Sequence, residues 1–157
     1  MALISFKHVG VKTYDTNKVN DVDRSQTPIG IKTPLEFGEQ GSGLLLMHYD
    51  VADQLTDNFR NLILTNQGDR VALYRYGANL NPLVAEFSSK EDFDSEAMLR
   101  INTAVQQWMP FVELGGYDSK PVFDNNRYTG KVEITLEFSI PRVQLFNKRI
   151  SVVLFVM

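Results

Sequence analysis

The chain has 157 residues, with 16 Lys and Arg against 19 Asp and Glu, a formal net charge of −3 and no cysteine. That length gives one core burying roughly 70% of the unfolded surface and is short for two ordinary domains. The charge balance, without any basic run, argues against a general nucleic-acid binder, and the lack of cysteine excludes a disulfide framework or a thiolate metal site. No charged-then-apolar-then-small pattern opens the chain, and no apolar run approaches the roughly 20 residues a membrane helix needs. Synthesis in a cytoplasm follows, with no membrane partner expected.

In chain order, residues 1–28 read as an N-terminal arm: a strand over Ala2 to Val11, then a polar linker from Thr13 to Thr27 without any period. The remainder, 29–157, reads as one domain. Ile29 to Leu46 is turn-rich, carrying Pro34, Gly38, Gly41 and Gly43. Neither phosphate-loop glycine pattern occurs, so turn chemistry accounts for these glycines. His8 is isolated, and His48 lacks a second ligand at metal spacing, so no metal or cofactor is expected.

From Asp50 the pattern turns helical. Val51, Leu55, Phe59, Leu62 and Ile63 recur on one face, Asp50 is placed to cap, and Asp53 suits the positive end of the helix dipole. Gly68 stands where a helix commonly closes in left-handed geometry. A loop loaded with Arg70, Tyr74, Arg75 and Tyr76 follows, residue types enriched at protein interfaces. Such a loop also serves simply to cover one end of a core.

Asn81-Pro82 then offers a cap and a first-turn proline for a short helix through Leu83, Val84 and Phe87. A longer helix starts near Ser88 or Ser89, with Ser88 and Glu91 as a capping box. It carries Phe93, Ala97, Ile101, Val105 and Trp108 at helical spacing until Pro110 stops it. The rest is strand. Phe111 to Leu114 starts one, Gly115-Gly116 breaks it, and Val122-Phe123 resumes before a turn at Asp124-Asn125-Asn126. Lys131 to Ile140 alternates strictly between apolar and polar residues until Pro141, the mark of one buried and one wet face. In Arg149 to Met157 one face is apolar throughout, at Ile150, Val152, Leu154 and Val156. The other begins polar and turns apolar at Val153, Phe155 and Met157. An α+β class follows: about three helices packed on a small, mainly antiparallel sheet with C-terminal strands.

Leu64-Thr65-x-x-Gly68-Asp69-Arg70 followed by Tyr76-Gly77-x-x-Leu80 resembles the signature of the small, lysozyme-like baseplate-wedge proteins of contractile-tailed phages. That family includes a baseplate component of type VI secretion systems. Tyr74 stands where many members carry a proline. The family's aromatic-Glu-Pro-Arg at the end of the long helix is Trp108-Met109-Pro110-Phe111 here, which keeps the aromatic and the proline and lacks both charges. The resemblance runs from about Ile29 to the last strand and implies a structural protein of the virion tail baseplate, assembled in the host cytoplasm. Its implied partners are larger wedge proteins and the tail sheath, with tube or hub proteins as further candidates. It would initiate the sheath by strand addition.

Partner-binding residues on this reading are Arg70, Tyr74, Arg75, Tyr76, Gly77, Trp108, Pro110, Val153 and Phe155. The apolar odd face of the last strand is covered either by a partner or by the chain's own loop or N-terminal segment. Neither nucleic acid nor a small-molecule substrate is expected. The alternatives are a peptidoglycan-degrading enzyme, a type VI component and an adaptor outside any virus. A glycan hydrolase needs two carboxylates at about 5–5.5 Å or 6.5–9.5 Å, one of them in an apolar setting. Glu36, Glu39, Glu86, Glu91, Asp92, Asp94 and Glu96 are the candidates, and their setting reads as turns and a solvated helix start. No enzymatic role is expected.

Overall fold

The computed structural model describes residues 28–38, 44–86, 90–124 and 127–155. The expected strand at Ala2 to Val11, the polar linker, the Ser88–Glu91 capping box and the Asn125-Asn126 turn fall wholly or partly outside them. The chain divides into two compact units, Met1–Gln54 and Leu55–Met157. In the first, β1 (Gly30–Ile31) and β2 (Met47–His48) pair antiparallel, and Phe37 bridges Leu45 just beyond them. Strand pairing thus organises part of the turn-rich segment.

Helix α1 (Val51–Leu64) starts in the first unit and runs into the second. Asp50 caps it, its Oδ1 accepting from the Ala52 N–H at 2.9 Å. Of the expected apolar face, Phe59, Leu62 and Ile63 are fully buried, Leu55 packs partly buried against the core, and Val51 is exposed in the first turn. The second unit adds α2 (Asn81–Glu86) and α3 (Lys90–Trp108). A three-stranded antiparallel sheet follows in the order β3 (Glu113–Asp124), β4 (Arg127–Ile140), β5 (Leu145–Phe155). The expected α+β class is therefore the one observed.

Alternation decides which way each strand faces. Val132, Ile134, Leu136, Phe138 and Ile140 of β4 and Ile150, Val152 and Leu154 of β5 are buried. They meet Phe93, Ala97, Ile101, Ala104 and Val105 of α3 and the buried face of α1 in one cluster. The Phe59 and Phe138 rings pack at 4.5 Å between centroids, tilted by 47°. Both C-terminal strands are longer than expected: the central β4 begins at Arg127 and the edge strand β5 at Leu145, because cross-strand bonds extend past the alternating core. Gly115-Gly116 does not break β3. The register steps from Leu114↔Phe138 to Tyr117↔Leu136, a bulge that inserts the extra residue and lets pairing continue. Phe111 stays outside the strand, since the Val112 N–H closes a turn onto the Met109 carbonyl at 2.9 Å.

Helix α1 ends at Leu64, ahead of Gly68, and the cause is a backbone return. After the Thr65 N–H bonds Asn61, the Asn66 N–H leaves the ladder for the Asp69 carboxylate at 2.8 Å. The chain then comes back, so that Ala78 donates to the Leu62 carbonyl at 3.1 Å and Asn79 to the Thr65 carbonyl at 3.3 Å. Carbonyls that a helix end would leave open are thereby met. Asn66 Oδ1 also accepts from the Asn81 N–H, so α2 is capped from outside, whereas Asn81 itself is its first residue.

The return requires a glycine. Gly77 has φ +112° and is buried, and a Cβ there would collide with the Thr65 carbonyl. Gly77→Ala is expected to cost about 2–3 kcal/mol in strain alone. The thermal midpoint should fall by roughly 4–12 °C, as read by circular dichroism. An unchanged midpoint would mean the backbone does not make this approach.

Candidate functional site

The returning loop, residues 65–80, gathers three of the residues singled out in the sequence. The Arg70 guanidinium carbon lies 4.1 Å from the Tyr76 ring centroid, and the Tyr76 ring meets the Trp108 indole edge-on at 5.3 Å. Cation, phenol and indole thus form a stack from loop to helix end. Burial raises the Tyr76 hydroxyl above its ordinary pKa, and the Arg70 charge offsets part of that rise. The Trp108 Nε1 is buried with no hydrogen-bond partner among the described residues. Pro110, beyond the stack, is exposed and the helix stops before it, as expected.

Local chemistry accounts for the other motif positions. Gly68 has φ +95°, and its N–H donates to the Tyr74 carbonyl at 2.8 Å, closing the loop on itself. Asp69 holds the first turn through Asn66. Tyr74 and Arg75 are exposed. Two neighbours drew no attention in the sequence: Val71 is 98% exposed and Leu73 45%. With Tyr74 they make an apolar loop tip around Ala72, whose φ is +68°. The signal was an apolar run in a segment with no helical or strand period.

Arg100 was also missed. From α3 its Nη1 donates to the Asn79 carbonyl at 2.8 Å and its Nε to Glu96 Oε1 at 2.9 Å. A groove of about 360 Å³ lies alongside, lined by Gln67, Arg75, Asn79, Leu99, Arg100 and Gln107 among others. The i,i+4 spacing of Glu96 and Arg100 was the legible part; the reach to Asn79 was not.

Strand β5 lies on one edge of the sheet, and Val153 and Phe155 are 39% and 49% exposed on the face opposite the core. They stand across from Glu133 and Lys131, and the Lys131 ammonium sits 5.3 Å from the Phe155 ring centroid. Nearer the start of the strand the same face is polar: Arg149 pairs with Glu137 at 2.9 Å and Ser151 with Thr135 at 3.2 Å. Val156 and Met157 lie outside the described residues.

The acidic residues weighed as catalytic are dispersed. Glu36 is ion-paired to Lys32 and Glu96 to Arg100, both at 2.9 Å. Glu86, Glu91 and Asp92 are exposed, and Glu39 lies outside the described residues. Asp94 departs from the solvated-face expectation. It is half-buried and accepts from the Tyr117 hydroxyl at 3.2 Å and from the buried Ser119 hydroxyl, because α3 packs its first turns against β3. Burial first, and the Asp94 charge second, push the Tyr117 hydroxyl well above the usual tyrosine range. Among the described residues no His, Cys, Asp and Glu group is placed to hold a metal, and no helix is long and apolar enough to cross a membrane.

Neither a family model nor a curated protein matches this chain. Solved structures do. A chain in the six-fold symmetrised baseplate of the anti-feeding prophage aligns at TM-score 0.57 and 15% identity, covering 73% of this chain and 86% of that one. A Geobacter sulfurreducens chain with the provisional name tail lysozyme aligns at TM-score 0.51 and 15% identity, covering 71% of this chain and 96% of that one. At such identity the likeness is one of fold.

Proposed function

We propose that this protein is a structural component of the baseplate wedge of a contractile injection machine. It binds a larger wedge protein through the Arg70 loop and starts the sheath by adding a strand at β5. The observation that carries the second role is the edge strand itself. Ile150, Val152 and Leu154 fill its core face, yet Val153 and Phe155 stay exposed on the other, where a solvated strand would keep polar residues. An apolar edge of this kind favours pairing with another chain, main-chain bonds giving affinity and alternate side chains specificity. The apolar tip at Val71, Leu73 and Tyr74 supplies a second contact of the sort interfaces bury. The fold shared with a baseplate chain is consistent with both roles.

A hydrolytic role, suggested by the name of the second structural neighbour, finds less support. Glu36 and Glu96 are neutralised by ion pairs, and Asp94 is engaged by two hydroxyls. We therefore propose no turnover. Purified protein should leave peptidoglycan turbidity unchanged, and clearing that disappears with Glu36→Gln or Glu86→Gln would overturn this.

Arg70→Ala removes a cation–ring contact of about 0.5–1 kcal/mol at an exposed site. The midpoint should drop by no more than roughly 4 °C, while incorporation into purified wedges falls severalfold. Early unfolding would show that Arg70 serves the fold. Val153→Lys combined with Phe155→Lys should leave a soluble, folded protein that no longer seeds sheath polymerisation in a light-scattering assay. Normal seeding by the double variant would remove β5 as the sheath contact.

A further inference from the structure

We propose that the groove between the returning loop and α3 is a binding site for an acidic peptide segment of a partner protein. Its lining carries two cations, Arg75 and Arg100, and no Asp or Glu. That is an inversion of the chain as a whole, which has 19 acidic and 16 basic residues. Arg100 is held in place by two bonds, one to the Glu96 carboxylate from its own helix and one to the Asn79 carbonyl from the loop. A guanidinium has five N–H donors in a fixed fork, so a second carboxylate still finds partners on one already oriented. Glu96 itself is not part of the lining.

Arg75 is the second arm. It is exposed, and among the described residues it has neither a hydrogen bond nor an ion pair. The amides of Gln67 and Gln107 add neutral donors and acceptors, and Leu99, 60% exposed, gives an apolar wall for a side-chain stem. This combination suits alternating carboxylate and aliphatic side chains. A nucleic acid is the poorer fit: its affinity comes from many neutralised phosphates, and the groove offers two cations without a stacking ring in its lining. The groove's chemistry stands apart from the baseplate assignment, so its test uses isolated components.

The experiment is a fluorescence-anisotropy titration of the full chain with a fluorescein-labelled peptide alternating Glu and Leu. A Lys-and-Leu peptide and an oligothymidylate of equal negative charge serve as comparisons. Saturable binding of the acidic peptide alone is expected, weakening as salt rises. Arg75→Ala should weaken it about tenfold, in line with a hydrogen bond to a charged group, and Arg75→Glu should weaken it further. Arg75→Lys should recover part of the loss, because it restores charge without the fork. Arg142→Ala, a change at an exposed arginine outside this lining, should leave binding unaltered. Circular dichroism of the Arg75 variants should match the unmodified chain. No saturable binding of the acidic peptide, equal binding of the basic one, or indifference to Arg75→Ala would overturn the proposal. Oligothymidylate binding with the same Arg75 dependence would overturn it in favour of a general polyanion site.

Discussion

The close approach of Gly77 to the Thr65 carbonyl is the constraint on which the returning loop and the helix ends around it depend. Because no Cβ stands in the way, the backbone can return to α1 and give Ala78 and Asn79 N–H groups to its last carbonyls. That return places Tyr76 against Trp108 and under Arg70, and it brings the Asn79 carbonyl to Arg100. Three helices are thereby tied to one loop: α1 by its carbonyls, α2 through Asn66, and α3 through Arg100 and Trp108. The spacing Leu-Thr-x-x-Gly-Asp-Arg and Tyr-Gly-x-x-Leu acquires a physical sense from this. Gly68 and Gly77 turn the chain, Thr65 and Asp69 meet backbone N–H groups, Arg70 and Tyr76 fill the stack, and Leu80 is buried in the core.

The same closure leaves other parts of the loop free. Turn bonds from Gly68 to Tyr74, Leu73 to Arg70 and Tyr76 to Leu73 shape the tip, while Val71 and Tyr74 stay in solvent. Arg70 belongs to both regimes, stacked on Tyr76 from within and exposed from without.

The sheet separates its tasks by face. One side of β4 and β5 packs Val132 to Ile140 and Ile150 to Leu154 in alternation into the core with the helices, while the other carries paired charges that give way to Val153 and Phe155 toward the end of β5. Lys131 over Phe155 partly screens that apolar end in the isolated chain. On β3, by contrast, the buried Ser119 is satisfied: its hydroxyl donates to Asp94, which fixes the first turns of α3 against the sheet.

Patterns of period two and period three to four are local, and they were legible in the chain alone. The alternation of β4 and β5, the apolar face of α1 through Phe59, Leu62 and Ile63, and the stop at Pro110 all follow from it. So did the α+β class and the side of β5 on which Val153 and Phe155 stand, since side-chain direction in a strand is set by parity. What tertiary structure decided were the places where distant backbone competes with local preference. The helix end at Leu64, the bulge at Gly115-Gly116, the outside cap from Asn66 and the half-burial of Asp94 each depend on a partner far along the chain. The meeting of Arg70, Tyr76 and Trp108 and the groove beside Arg75 and Arg100 depend on such a partner too. A sequence window shows which groups need partners; only the fold determines which partner comes within reach.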